Sequence, residues 1–224
     1  MPRVARIYTD DGIFHVLTRG NNKQWIFHDE EDFSKYKGIT KEVKEEQPFK
    51  LYHYCLMSNH VHMLIETNEK THLSKLMKRI NLKYYNYYKK KYGYAGHFWQ
   101  DRYKSLLVEG ESYLLSCGIY IERNPLRARM VKSLREYKLS SYRYYAYGME
   151  DELVDRDQYY KELGRNDNIR KQRYKELLLG EEERKIKQAL KGQLFLGTEK
   201  FIGRMEKAFN VINTRLKKGR PRIK

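Results

Sequence analysis

The run Phe49-Lys50-Leu51-Tyr52-His53-Tyr54-Cys55-Leu56-Met57-Ser58-Asn59-His60-Val61-His62-Met63-Leu64-Ile65-Glu66-Thr67 decides how the chain folds. Phe49 to Met57 and His60 to Thr67 are β-prone stretches joined by a polar Ser58-Asn59 corner, which predicts two adjacent antiparallel strands. Upstream, residues 12 to 19 alternate Phe14, Val16 and Thr18 against His15, Leu17 and Arg19 before a Gly20-Asn21-Asn22 turn, and read as another strand. Between them, Asp29 to Gln47 places Phe33, Tyr36, Ile39 and Val43 at helical spacing behind an acidic first turn, and Pro48 ends it. Downstream, a helix is predicted over Leu73 to Tyr92, an irregular basic strand over His97 to Val108 and a further helix over Glu111 to Arg123.

The order β-α-β-β-α-β followed by a helix predicts an α+β fold: a ferredoxin-like antiparallel sheet with helices on one face and the other face open. Residues 1–150 form the expected main domain. Beyond residue 150 strand signals give way to charged helical patterns punctuated by Gly164, Gly180, Gly192 and Gly197, so 151–214 reads as a helical appendage. Residues 215–224 are a basic tail with the look of a minor-groove AT-hook, in which Arg220 and Arg222 are candidate DNA contacts; little in it is apolar, and it reads as disordered until it meets a partner.

The 224 residues carry a formal net charge of +17, with 46 Lys and Arg against 29 Asp and Glu, which favours a polyanionic partner, nucleic acid first. No apolar run approaches the ~20 residues of a spanning helix, and no signal peptide is read, so a cytoplasmic, nucleoid-associated protein away from membranes is expected. Cys55 and Cys117 lack CxxC spacing and sit among apolar neighbours, as reduced core thiols do. The 21 tyrosines offer stacking rings beside cations. Even so, Leu73, Leu76, Met77, Ile80, Tyr84, Tyr87 and Tyr88 follow helical spacing, and that stripe reads as core.

His60 and His62 lie two apart on a strand, so both imidazoles leave the same face, an arrangement suited to a divalent metal. On its own the pair reads equally well as two histidines hydrogen-bonding within the sheet. Preceded by Leu56-Met57-Ser58-Asn59, it resembles the His-hydrophobe-His (HUH) motif of rolling-circle and single-tyrosine nucleases. The segment Cys117-Gly118-Ile119-Tyr120-Ile121-Glu122-Arg123-Asn124-Pro125-Leu126-Arg127-Ala128 resembles the helix of the REP-associated tyrosine transposases, a branch of the single-tyrosine transposases. Thr18 to Asn22, Gly96 to Ser105 and Leu139 to Tyr142 also resemble segments of that family, in order, over about residues 6 to 147.

That resemblance implies a transposase that nicks and rejoins single-stranded DNA near hairpin repeats through a 5′-phosphotyrosine, with Tyr120, four residues before Asn-Pro, as nucleophile. Tyr113, seven residues earlier, is the nearest competitor. His60 and His62 would hold Mg or Mn. Asn124 lies one turn from Tyr120, where the family often has Gln, and is open to two roles: third metal ligand, or cap of a helix beginning at Pro125. Arg19, Arg102 and Lys104 are candidates for positioning phosphates, and Trp99 either stacks a base or fills core. A non-cleaving protein that binds nucleic-acid hairpins would account for the charge equally well and would not need Tyr120. A monomer and a homodimer are both compatible with the sequence.

Overall fold

The structure, a computed structural model, describes residues 7, 9, 11–177 and 180–214. Strands β1 (Gly12–Arg19), β2 (Lys50–Met57), β3 (His60–Thr67) and β4 (Lys104–Val108) form an antiparallel sheet in the order β2-β3-β1-β4, with helices α1 (Glu30–Glu46) and α2 (Leu73–Tyr92) as the crossovers. This is the ferredoxin-like arrangement expected. α1 begins where the Asp29 carboxylate accepts the Asp32 N–H at 3.0 Å, and Glu30, Glu31 and Asp32 complement the positive end of its dipole. α2 stops at Gly93, which takes the left-handed conformation (φ 62°) disfavoured for residues with a Cβ. The buried stripe of α2 is Leu73, Leu76, Met77, Ile80, Tyr84 and Tyr88; Tyr87 is half-buried and donates its hydroxyl to Asp32.

Pairing register assigns the two faces of the sheet. Leu17 opposes His62 and Arg19 opposes His60 on β3, while Cys55 of β2 opposes His62. His60, His62, His15, Leu17, Arg19 and Cys55 therefore share one face, and Val61, Met63, Val16 and Thr18 share the other. α1 and α2 cover the second face: Tyr36 and Thr40 border one small space with Leu56 and Met63, and Asn81 donates to Thr18. The first face, expected to be open, is instead covered by α3 (Gly110–Glu122). The cause is hydrophobic: Leu64, Leu106 and Cys55 on that face need a lid, and Leu114, Cys117 and Ile121 of α3, at helical spacing, need a floor.

Downstream lie α4 (Asn124–Arg127), α5 (Tyr142–Tyr147), α6 (Gln158–Glu162), α7 (Asp167–Glu176), α8 (Gly180–Gly192), β5 (Phe195–Leu196) and α9 (Glu199–Phe209). The expectation that strands end near residue 150 is corrected by β5, which pairs parallel with β4 through Leu107 and Val108. Two residues are too few to show alternation in a sequence. Asn213 accepts from the backbone N–H groups of Leu194 and Phe195, which satisfies donors beside the new strand. Only Lys104–Val108 of the stretch expected as strand from His97 is regular; before it, Trp99 makes a lone bridge to Gly20. The tail, with Arg220 and Arg222, lies outside the described residues.

Most tyrosines are accounted for by packing. Tyr84, Tyr137 and Tyr145 are buried, and their hydroxyls donate to the carbonyls of Ile26, Leu56 and Tyr52 at 2.5, 2.5 and 2.9 Å. Cys55 and Cys117 are buried free thiols, as expected.

Candidate metal and nucleophile site

The Ser58-Asn59 corner sets the site. Its carbonyls are held by Gly20, Ile26 and Phe27 N–H groups, and the Asn59 amide donates to Lys23. The Asn59 side-chain oxygen lies 2.6 Å from His60 Nδ1, which therefore carries the proton and leaves the Nε2 lone pair for a ligand. His62 is almost fully buried, and its Nδ1 lies 2.8 Å from Nε2 of His15, the two rings stacking at 5.1 Å. With Nδ1 engaged, the edge of His62 left for a ligand is again Nε2. The His60 and His62 rings are 4.9 Å apart. Burial, with the charge of Arg19, pulls His60 down to about 4; burial, then His15, His60, Arg127 and Arg19, pulls His62 well below the usual imidazole range. Both are neutral near pH 7, the form that binds metal.

α3 lies close to β2 because position 118 is glycine. A Cβ there would meet the His53 ring at 2.3 Å. That ring cannot yield: it is fully buried, stacks on Tyr145 at 4.5 Å, and binds Glu122 at 2.9 Å and Asp157 at 3.3 Å. Glu122 in turn accepts from Ser141 and Tyr174. The clamp holds the end of α3 two residues from Tyr120.

Tyr120 is 8% exposed, and its ring meets His15 edge-on at 6.4 Å. His15 thus touches both His62 and the tyrosine. The Arg127 guanidinium sits 4.0 Å over the Tyr120 ring, and its Nη2 donates to the Tyr120 carbonyl at 2.6 Å. Burial raises the Tyr120 phenol above its ordinary value, and Arg127 opposes that rise. Tyr113, also on α3, is buried at 9% exposure.

The Asn124 amide donates to the carbonyls of Ile121 at 2.8 Å and Tyr120 at 3.4 Å. It closes the end of α3 rather than capping the following helix, whose capping position is Arg123. Arg19 flanks His60, and its Nε is buried without a hydrogen-bond partner among the described residues. Lys104 is in the same row as His62, with Leu17 between them, on the same face. Arg102 is exposed in the turn before β4. Trp99 is half-buried and donates its indole N–H to the Asn81 carbonyl. Among the described residues no three His, Cys, Asp or Glu side chains gather to hold a metal, so an ion on the two imidazoles would need oxygen from an amide, water or substrate.

Sequence reasoning missed His15, Gly118 and Arg127. His15 stood in the alternation of β1, but only the strand register brings it beside His62.

The family model described as transposase IS200 like matches residues 9–124, the span that holds the sheet, the His60-Val61-His62 run and the Tyr120 helix. The chain belongs to that family. More particularly, it is similar to the REP-associated tyrosine transposases, as the sequence led one to expect: a Haemophilus influenzae protein bearing that name is 21% identical over 156 residues, covering 63% of this chain and 86% of the relative. A solved REP-associated tyrosine transposase, bound to a REP hairpin, has the same fold at a TM-score of 0.57 and 16% identity, over 70% of this chain and 98% of that one. No helix among the described residues is long and apolar enough to cross a membrane.

Proposed function

We propose that this transposase nicks and rejoins single-stranded DNA beside hairpin repeats, with Tyr120 as nucleophile. The observation that carries this reading is the sequence of ring contacts from His60 to His62, to His15, to Tyr120 on one face of the sheet. In the proposed step the Tyr120 phenolic oxygen bonds to a backbone phosphorus, the bond from phosphorus to the 3′ oxygen breaks, and the departing 3′ oxygen takes up the phenol's proton. The product is a 5′-phosphotyrosine and a free 3′-hydroxyl, whose attack reverses the step.

His60 and His62 would hold a Mg or Mn ion through Nε2, and Asn124, with its amide nitrogen on the α3 carbonyls, has Oδ1 to add. Such an ion supplies Lewis-acid polarisation of the scissile phosphate. Arg19, Lys104 and Arg102 would position the strand, the exposed residues by charge and Arg19 also through its buried Nε. Trp99, with its indole N–H committed, has its ring face to offer a base. Arg220 and Arg222 would add sequence-independent contacts. Residues 1–150 are the catalytic domain in this reading, 151–214 an accessory segment and 215–224 a DNA-contacting tail, in a protein that works at the nucleoid as a monomer or homodimer.

The test is incubation of labelled hairpin DNA with a single-stranded flank, taken from beside the protein's own gene, with Mn or Mg. A denaturing gel should show a covalent adduct with wild type and none with Tyr120→Phe. If wild type binds the hairpin and never links to it or cuts it, a non-cleaving hairpin-binding role replaces this one.

A further inference from the structure

Ile186 and Ala189 of α8 are fully buried and Leu190 packs against the core, which defines the inward stripe of that helix. Glu183 lies three residues before Ile186 and seven before Leu190, so its carboxylate leaves the same inward face. A carboxylate on a core-facing stripe is costly unless paired. Its partners are Lys187, at 2.7 Å, and Nη1 of Arg127, at 3.5 Å. Lys187 holds the Glu183 carboxyl below its ordinary value; burial opposes this, and the charges of Arg127 and Arg123 add to it. Two cations, Arg127 and Lys187, therefore pair with one anion.

The Arg127 pairing is incomplete. Nη2 is anchored on the Tyr120 carbonyl, and the guanidinium covers the Tyr120 ring. Nη1 is buried and makes no hydrogen bond among the described residues; at 3.5 Å its contact with Glu183 is an ion pair only. A guanidinium normally holds an anionic oxygen at about 2.7–2.9 Å, and its planar fork matches a phosphate. The group best placed beside Tyr120 to receive an anion is thus held loosely by an internal carboxylate.

We propose that Arg127 and Lys187 form a subsite for one backbone phosphate of the strand beside Tyr120, and that Glu183 fills it in the free protein and yields it when the strand binds. The inference rests on the reading of Tyr120 as the residue that meets DNA, but it requires no cleavage.

The test is binding of labelled oligothymidylate, followed by fluorescence anisotropy in EDTA, so that neither hairpin recognition nor chemistry enters. Glu183→Gln should bind about 3- to 10-fold tighter than wild type, as expected for removing a competing charge worth ~1 kcal/mol. Arg127→Gln should bind more weakly, with the slope of log affinity against log salt reduced by about 0.7. The double variant should show none of the gain from Glu183→Gln. Lys187→Gln provides an independent check, expected to weaken binding whether or not Glu183→Gln folds. Equal binding by wild type and Glu183→Gln, a gain that persists without Arg127, or undiminished binding by Lys187→Gln overturns the subsite. Adduct formation on hairpin DNA, scored separately, can fail while these binding differences remain.

Discussion

His15 Nε2 lies 2.8 Å from His62 Nδ1, so a histidine from β1 sets the ring orientation of a histidine on β3 while meeting the Tyr120 ring edge-on. Partners that orient a ligating imidazole commonly account for 10- to 100-fold in metal affinity. His15→Phe, which keeps a ring of similar bulk and removes the hydrogen bond, should weaken Mn binding by about 10-fold or more. Calorimetric titration with Mn checks this; an unchanged affinity would mean that His15 only packs.

Gly118→Ala should destabilise the protein by roughly 1–3 kcal/mol, the usual cost of overpacking a core. The added methyl meets the His53 ring, which two carboxylates and Tyr145 hold in place. Chemical denaturation measures the loss. A variant as stable as wild type would show that α3 can shift freely on β2.

Stability should fall as the pH rises from about 7 toward 10. Burial alone would lower the His53 imidazole, but Asp157 and Glu122 outweigh it and raise the group from 6.5 to about 9. A value raised in the folded state means that the proton is bound more tightly there. The stabilisation is therefore complete below about 6.5 and is lost as the pH passes 9. Glu122→Gln should be destabilised by about 3–5 kcal/mol at neutral pH and should show a flatter slope in denaturation midpoints across this range.

Tyr120→Phe should retain stability to within about 0.5 kcal/mol, since the ring contacts with His15 and Arg127 do not need the hydroxyl. The same variant should form no adduct. Thermal melts alongside the gel separate lost chemistry from lost folding.

The four antiparallel strands and the two crossover helices were legible because each buries one face, and that requirement writes a period of 2 or 3.6 into the residues. β5 was not legible, since Phe195 and Leu196 are too short to carry a period. The covering of the histidine face by α3 was also missed: a helix's apolar stripe says that it packs, but not on which face of the sheet. Asn124 shows the same limit. Its place before Pro125 suited a cap for the next helix, yet its amide turned back to the carbonyls of α3.

By itself, the sequence determined the kind of fold, the pairing of His60 with His62 on one strand face and the kinship of the Tyr120 helix. Each of these is a local or periodic property of neighbouring residues. Tertiary structure alone decided that His15 meets His62, that Gly118 admits His53, and that Glu183, more than fifty residues downstream, lies against Arg127 over Tyr120. Such contacts depend on strand register and on how helices settle across the sheet, and a one-dimensional pattern does not encode which distant side chains will share a cavity.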